Sequence, residues 1–186
     1  MSATLRISGL LLLAGCGGGN AAQSGPQACV PVEASGDGVA ADKLGGRYTV
    51  RMVATSGAKR GTTAEGQMEL MPLTSTSGPD SAGGTGGTTY PFHGTAELDF
   101  ASVGAVVPGD PKSSDPLSPG VLVLQRPGGV MLRVGSEANR RDVRRFDGAF
   151  TALQVTQVTD QGFAGTWRSG LGTEESEGHF CAVRAS

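Results

Sequence analysis

Arg47-Tyr48-Thr49-Val50-Arg51-Met52-Val53-Ala54 puts Tyr48, Val50, Met52 and Ala54 on one side of an extended chain, and Arg47, Thr49 and Arg51 on the other. Alternation with a period of two is what a strand buried on one face requires. A helix would scatter the same apolar side chains around its circumference. The pattern recurs downstream. From Thr63 to Leu73, Ala64, Gly66, Met68 and Leu70 alternate with Glu65, Gln67 and Glu69; from Thr95 to Phe100, Ala96, Leu98 and Phe100 alternate with Thr95, Glu97 and Asp99. Val121 to Arg126 and Val130 to Val134 flank Pro127-Gly128-Gly129, while Phe150 to Thr159 and Phe163 to Arg168 flank Asp160-Gln161-Gly162. Both connections are tight-hairpin signals. Gly178 to Arg184 forms the last run.

About eight antiparallel strands in sequence order, without a helical segment between them, predict an all-β fold. An up-and-down barrel is favoured because closure removes exposed edges; a two-sheet sandwich is the alternative. Glycine supplies 31 of the 186 residues, well above the usual 7 %, and in strands it marks the bends where a sheet curls. Eight strands enclose a lumen wide enough for packed side chains or one small ligand. Tyr48, Val50, Met52 and Trp167 are its candidate ligand-lining residues. Two long connections, Thr74 to Thr89 and Val107 to Gly120, interrupt the pattern. The first is rich in Ser, Gly and Thr and is expected to be disordered; the second is proline-rich and expected to be stiffer.

The start of the chain reads differently. Arg6 precedes an apolar run from Ile7 to Leu13, followed by Leu13-Ala14-Gly15-Cys16. A charged n-region, a short apolar stretch and small residues before a cut point form a secretory signal. The run is too short to span a bilayer, which needs about 20 apolar residues. Leu-Ala-Gly-Cys resembles the lipobox of bacterial lipoproteins. That resemblance implies a diacylglyceryl thioether on Cys16, cleavage before it, and membrane attachment through acyl chains. Each buried CH₂ contributes about 0.8 kcal/mol, and two or three chains hold essentially permanently. Gly17 stands where Asp tends to retain such lipoproteins at the inner membrane, so the outer membrane is the expected address. The resulting organisation is a signal peptide at 1–15, a lipidated N-terminus and flexible linker at 16–42, and the barrel domain at 43–186.

With Cys16 lipidated, Cys29 and Cys181 remain. In an oxidising envelope compartment they are expected to form a disulfide joining the two ends of the domain; a metal-binding Cys pair or two free thiols are the alternatives. Removing Arg6 leaves 14 basic and 17 acidic residues out of the 15 and 17 in the whole chain. That balance is too weakly acidic to imply a nucleic-acid partner.

Few residues promise chemistry. Arg140, Arg141, Arg144 and Arg145 are a candidate anion-binding cluster, since guanidinium forks match carboxylates and phosphates. A solvated connection paired with Glu137, Asp142 and Asp147 is the simpler reading. His93 and His179 sit beside phenylalanines in strand patterns and read as satisfied structural histidines. Glu174, Glu175 and Glu177 lie near His179 without metal-ligand spacing. Ser81 and Ser169 lack the glycine pattern of a nucleophile elbow, and Gly83-Gly84-Thr85-Gly86-Gly87 lacks the ending of a phosphate loop. No catalytic residue, metal or cofactor is expected. Gly165-Thr166-Trp167 and Gly46-Arg47-Tyr48 resemble the Gly-x-Trp signature of lipocalins, although the Trp falls in a late strand and no C-terminal helix follows. That resemblance implies binding of a small apolar or amphipathic ligand. The expected function is therefore a structural or protein-interaction role in the cell envelope, with lipocalin-like ligand binding as the alternative.

Overall fold

The computed structural model describes residues 39–73, 89–108, 119–135 and 149–185. They form a closed barrel of eight antiparallel strands in simple sequence order. The strands are β1 (Gly46–Ala54), β2 (Thr63–Pro72), β3 (Thr89–Leu98), β4 (Gly120–Arg126), β5 (Gly129–Val134), β6 (Phe150–Thr159), β7 (Gly162–Leu171) and β8 (Glu174–Arg184). β8 closes onto β1 from Tyr48↔Arg184 to Ala54↔Gly178. Helical structure among the described residues is two short 3₁₀ turns, Ala41–Lys43 and Phe100–Val103.

The alternation in the sequence becomes inside and outside. Tyr48, Val50, Met52 and Ala54 are buried in one core with Met68, Leu70, Phe92, Leu132, Leu153, Phe163, Trp167 and Phe180. Arg47, Thr49 and Arg51 are exposed, and two of them face carboxylates on β2 (Arg47 to Glu69, 3.1 Å; Arg51 to Glu65, 3.5 Å). A barrel that spans a bilayer has the opposite polarity, with an apolar outer band around a polar lumen.

Closure depends on glycines where neighbouring backbones meet. A Cβ on Gly94 would stand 1.7 Å from the Glu69 carbonyl oxygen, and one on Gly178 would stand 1.9 Å from that of Val53 and 2.7 Å from Trp167 Nε1. Trp167 pairs with Gly178 across β7–β8, and its indole N–H donates to Val53 O on β1 at 3.2 Å. One side chain thus lies over a glycine and links three strands at the seam.

Several strands depart from expectation. β3 begins at Thr89 rather than Thr95, because Pro91 falls where the β3–β4 register shifts between Thr89 and Phe92. A proline that donates no hydrogen bond is accommodated at such a bulge. Phe100 lies in a 3₁₀ turn instead of a strand. β7 and β8 run past Arg168 and begin before Gly178, extending the hairpin to Leu171↔Glu174. Val39 to Asp42, expected within the linker, pack onto the barrel: Ala41 is buried and Val39 contacts the core. Most of the two long connections, at 74–88 and 109–118, lies outside the described residues.

Candidate functional site

A small barrel offers three places for function: the lumen, its mouths and the outer wall. The lumen is filled from within. Tyr48, Phe163 and Phe180 stack edge to face, with centroids 4.9 Å and 5.9 Å apart. All four candidate lining residues point inward, and Tyr48, Val50, Met52 and Trp167 are at most 1 % exposed. They are brought together, but as packed core.

The lower mouth, where β1 begins, is plugged by the segment before it. Leu44 is fully buried. Tyr48 donates its hydroxyl to Leu44 O at 3.0 Å, while the Arg184 guanidinium sits 5.1 Å over the Tyr48 ring and donates to Gly45 O and Lys43 O. Burial pushes the Tyr48 hydroxyl above its usual pKa, with Arg184 pulling the other way. Gln125 at the end of β4 completes the latch. It accepts from Ala41 N–H at 2.8 Å and donates to Val39 O.

The upper mouth is crossed by a strap, residues 99–108. The Asp99 carboxylate accepts from Ser102 N–H and starts the 3₁₀ turn, whose Phe100 and Val103 are buried. Gly104, at φ 73, ends that turn in the left-handed region. Val106 then reaches the far wall. Its N–H donates to Ser169 Oγ at 2.7 Å, and its carbonyl accepts from Thr151 Oγ1. Ser169 also donates to Phe150 O at 3.0 Å and lies 2.7 Å from Thr151 Oγ1. Two hydroxyl protons serve three acceptors, so the cluster shares them. Ser169 is 1 % exposed and acts as a clasp, out of reach of any substrate. The plug and the clasp were missed from sequence. Thr151 and Ser169 do carry a signal, being hydroxyls at inward positions of alternating strands, where a buried polar group needs a partner.

The outer wall is mixed. A groove of about 490 Å³ opens beside the upper mouth between Glu65, Glu97 and Asp99 and the apolar Leu98, Phe100 and Val107. His93 and His179 point outward three strands apart, so they do not converge. The expectation that both are satisfied is corrected for His179: among the described residues its buried Nδ1 has no hydrogen-bond partner. That burial, reinforced by Arg51, lowers its pKa. Glu175 pairs with Arg168 at 2.9 Å on the exposed rim. Among the described residues no group of three His, Cys, Asp or Glu side chains could hold a metal.

Cys181 is disulfide-bonded, and its partner lies outside the described residues. Cys16, Cys29 and the cluster Arg140, Arg141, Arg144 and Arg145 lie there too. No family model matches the chain, and neither a curated protein nor a solved structure matches it.

Proposed function

We propose that this is a lipid-tethered cell-envelope protein, non-catalytic, whose barrel works through its outer surface in a structural or protein-interaction role. One observation carries this reading: the lumen is packed solid by the protein's own side chains and both mouths are crossed by its own backbone. A carrier keeps its cavity for cargo. A lipocalin-like use of this barrel would require opening the Val106 clasp or withdrawing Leu44, and then displacing Tyr48, Phe163 or Trp167.

The charged exterior suits a barrel held beside a bilayer rather than in it, with acyl chains on Cys16 as the attachment and the outer membrane as the address. Contact with another envelope component falls to the outer wall. A photo-crosslinking residue at Thr49 or Gln67, both exposed, in the full chain expressed in its host tests this. The expected result is a discrete protein adduct in the envelope fraction that is absent when the residue is placed at inward Val50. No adduct from any exposed position would overturn the interaction role.

A further inference from the structure

Among the described residues three large apolar side chains stand exposed, Met71, Leu73 and Leu171, at 46 %, 37 % and 49 %. Two of them share one place. Met71 and Leu73 flank exposed Pro72 at the lower end of β2, where the Leu73 N–H donates to Pro91 O at 2.9 Å. Tyr90 and Pro91, both half-buried, begin β3 at the same corner. Leu171 is alone at the upper mouth, paired with Glu174. The base of the β2–β3 hairpin is therefore an apolar lip.

Exposed cations flank this lip on both sides: Lys43 and Arg47 where β1 begins, beside β2, and Arg126 where β4 ends, beside β3. The carboxylates of this mouth are Asp42, Glu69 and Asp160, of which Glu69 is paired with Arg47. Apolar side chains beside a tyrosine and long cationic side chains suit a membrane interface. There the apolar groups enter the acyl boundary, the phenol stays at headgroup level and the cations reach back to phosphates.

The covalent connections point the same way. The described chain begins at Val39, which Gln125 holds at the lower mouth. Cys181 is disulfide-bonded and lies three residues before Arg184, where β8 ends at that mouth. The other cysteines, Cys16 and Cys29, both precede Val39. The N-terminal chain is thus joined to the barrel at two points, both in the half that carries the lip. β7 runs its ten residues from the lower mouth to the upper, which at about 3.3 Å per residue and a tilt of about 35–45° separates the two ends by about 21–24 Å. One bilayer surface can touch only one of them.

We propose that the lip of Met71, Pro72, Leu73 and Tyr90 is the membrane-facing edge of the barrel, seated at headgroup depth in the bilayer that anchors the chain, with Lys43, Arg47 and Arg126 against lipid phosphates. The inference rests on the tethered reading, which brings the bilayer within reach, and adds which end of the barrel rests on it. The strap and the groove at the upper mouth then face away from the membrane, open to partners.

Tryptophan quenching in the full-length protein tests it. Leu73→Trp and Leu171→Trp variants, purified from the host, are reconstituted in vesicles of phosphatidylcholine and phosphatidylglycerol whose acyl chains carry bromine near the headgroup. Both positions are exposed, and wild-type protein gives the background from Trp167. Bromine should quench the added emission of Leu73→Trp at least twofold and leave that of Leu171→Trp unchanged; Met71→Trp takes the same readout if Leu73→Trp does not fold. Flotation with the vesicles reports the tether separately. A protein that floats with Leu73→Trp unquenched overturns the lip and keeps the tether, and a blue-shifted but unquenched Leu73→Trp identifies a protein cover instead. Quenching of Leu73→Trp in a chain whose Cys16 is unmodified supports the lip and removes the tether. A protein that does not float overturns both.

Discussion

Replacing Ser169 with Ala should open the strap more than it disturbs the sheet. The hydroxyl accepts the Val106 N–H at 2.7 Å, donates to Phe150 O at 3.0 Å and touches Thr151 Oγ1 at 2.7 Å. Its removal leaves the Val106 donor without its acceptor, which costs about 1–3 kcal/mol, while Thr151 still serves the Val106 carbonyl. A net destabilisation of about 1–3 kcal/mol follows, lowering Tm by about 2–12 °C for a domain of this size. Urea denaturation gives the global figure; amide hydrogen exchange across residues 99–108 gives the local one. Exchange in the strap should accelerate more than in β1 or β2. Thr151→Val removes the other half of the clasp, and the double variant should cost less than the sum of the singles, because the two hydroxyls share protons. Destabilisation below about 0.5 kcal/mol, strictly additive singles and unchanged strap exchange would refute the clasp.

Trp167→Phe keeps a ring in the lumen but loses the N–H to Val53 O, so it should cost about 1–2 kcal/mol in chemical denaturation, against about 3–5 for Trp167→Ala. Gly178→Ala places a methyl against the Val53 carbonyl and the Trp167 indole; expect loss of soluble folded protein or a large drop in Tm, read by circular dichroism. His179 has a folded pKa below the ordinary 6.5, so the unfolded chain takes its proton more readily. Its contribution to stability is complete above about pH 6.5 and declines as pH falls toward the folded value. His179→Gln should flatten that part of the stability–pH curve, and an identical slope in both proteins would remove the burial argument.

The fold was legible because half-buried strands write their geometry into the chain. Tyr48 to Ala54 and Ala64 to Leu70 alternate cleanly, and Gly128 and Gly162 mark their turns with positive φ, 99° and 146°. Where a strand has no buried face the signal vanishes. Glu174 to Glu177 pair with β7 beyond the barrel rim, and Leu171 there is 49 % exposed, so nothing in their hydrophobicity marks a strand. Tyr90-Pro91 hides the start of β3 because the proline occupies a bulge. The start of the plug, Ala41 and Asp42, reads as linker, since short 3₁₀ turns lack a period to detect. Whether the lumen is open could not be read from sequence: Tyr48, Val50, Met52 and Trp167 line a cavity and fill one with the same inward pattern. Their mutual packing, together with Leu44 and Phe100 at the mouths, decides it.

Native mass spectrometry of the full-length protein, extracted from its host envelope without denaturation, is the most direct test. The predicted species begins at an acylated Cys16, contains one intramolecular disulfide and carries no small-molecule adduct. A stoichiometric apolar adduct that dissociates on unfolding would contradict a solid lumen, and an unmodified Cys16 would contradict the tether.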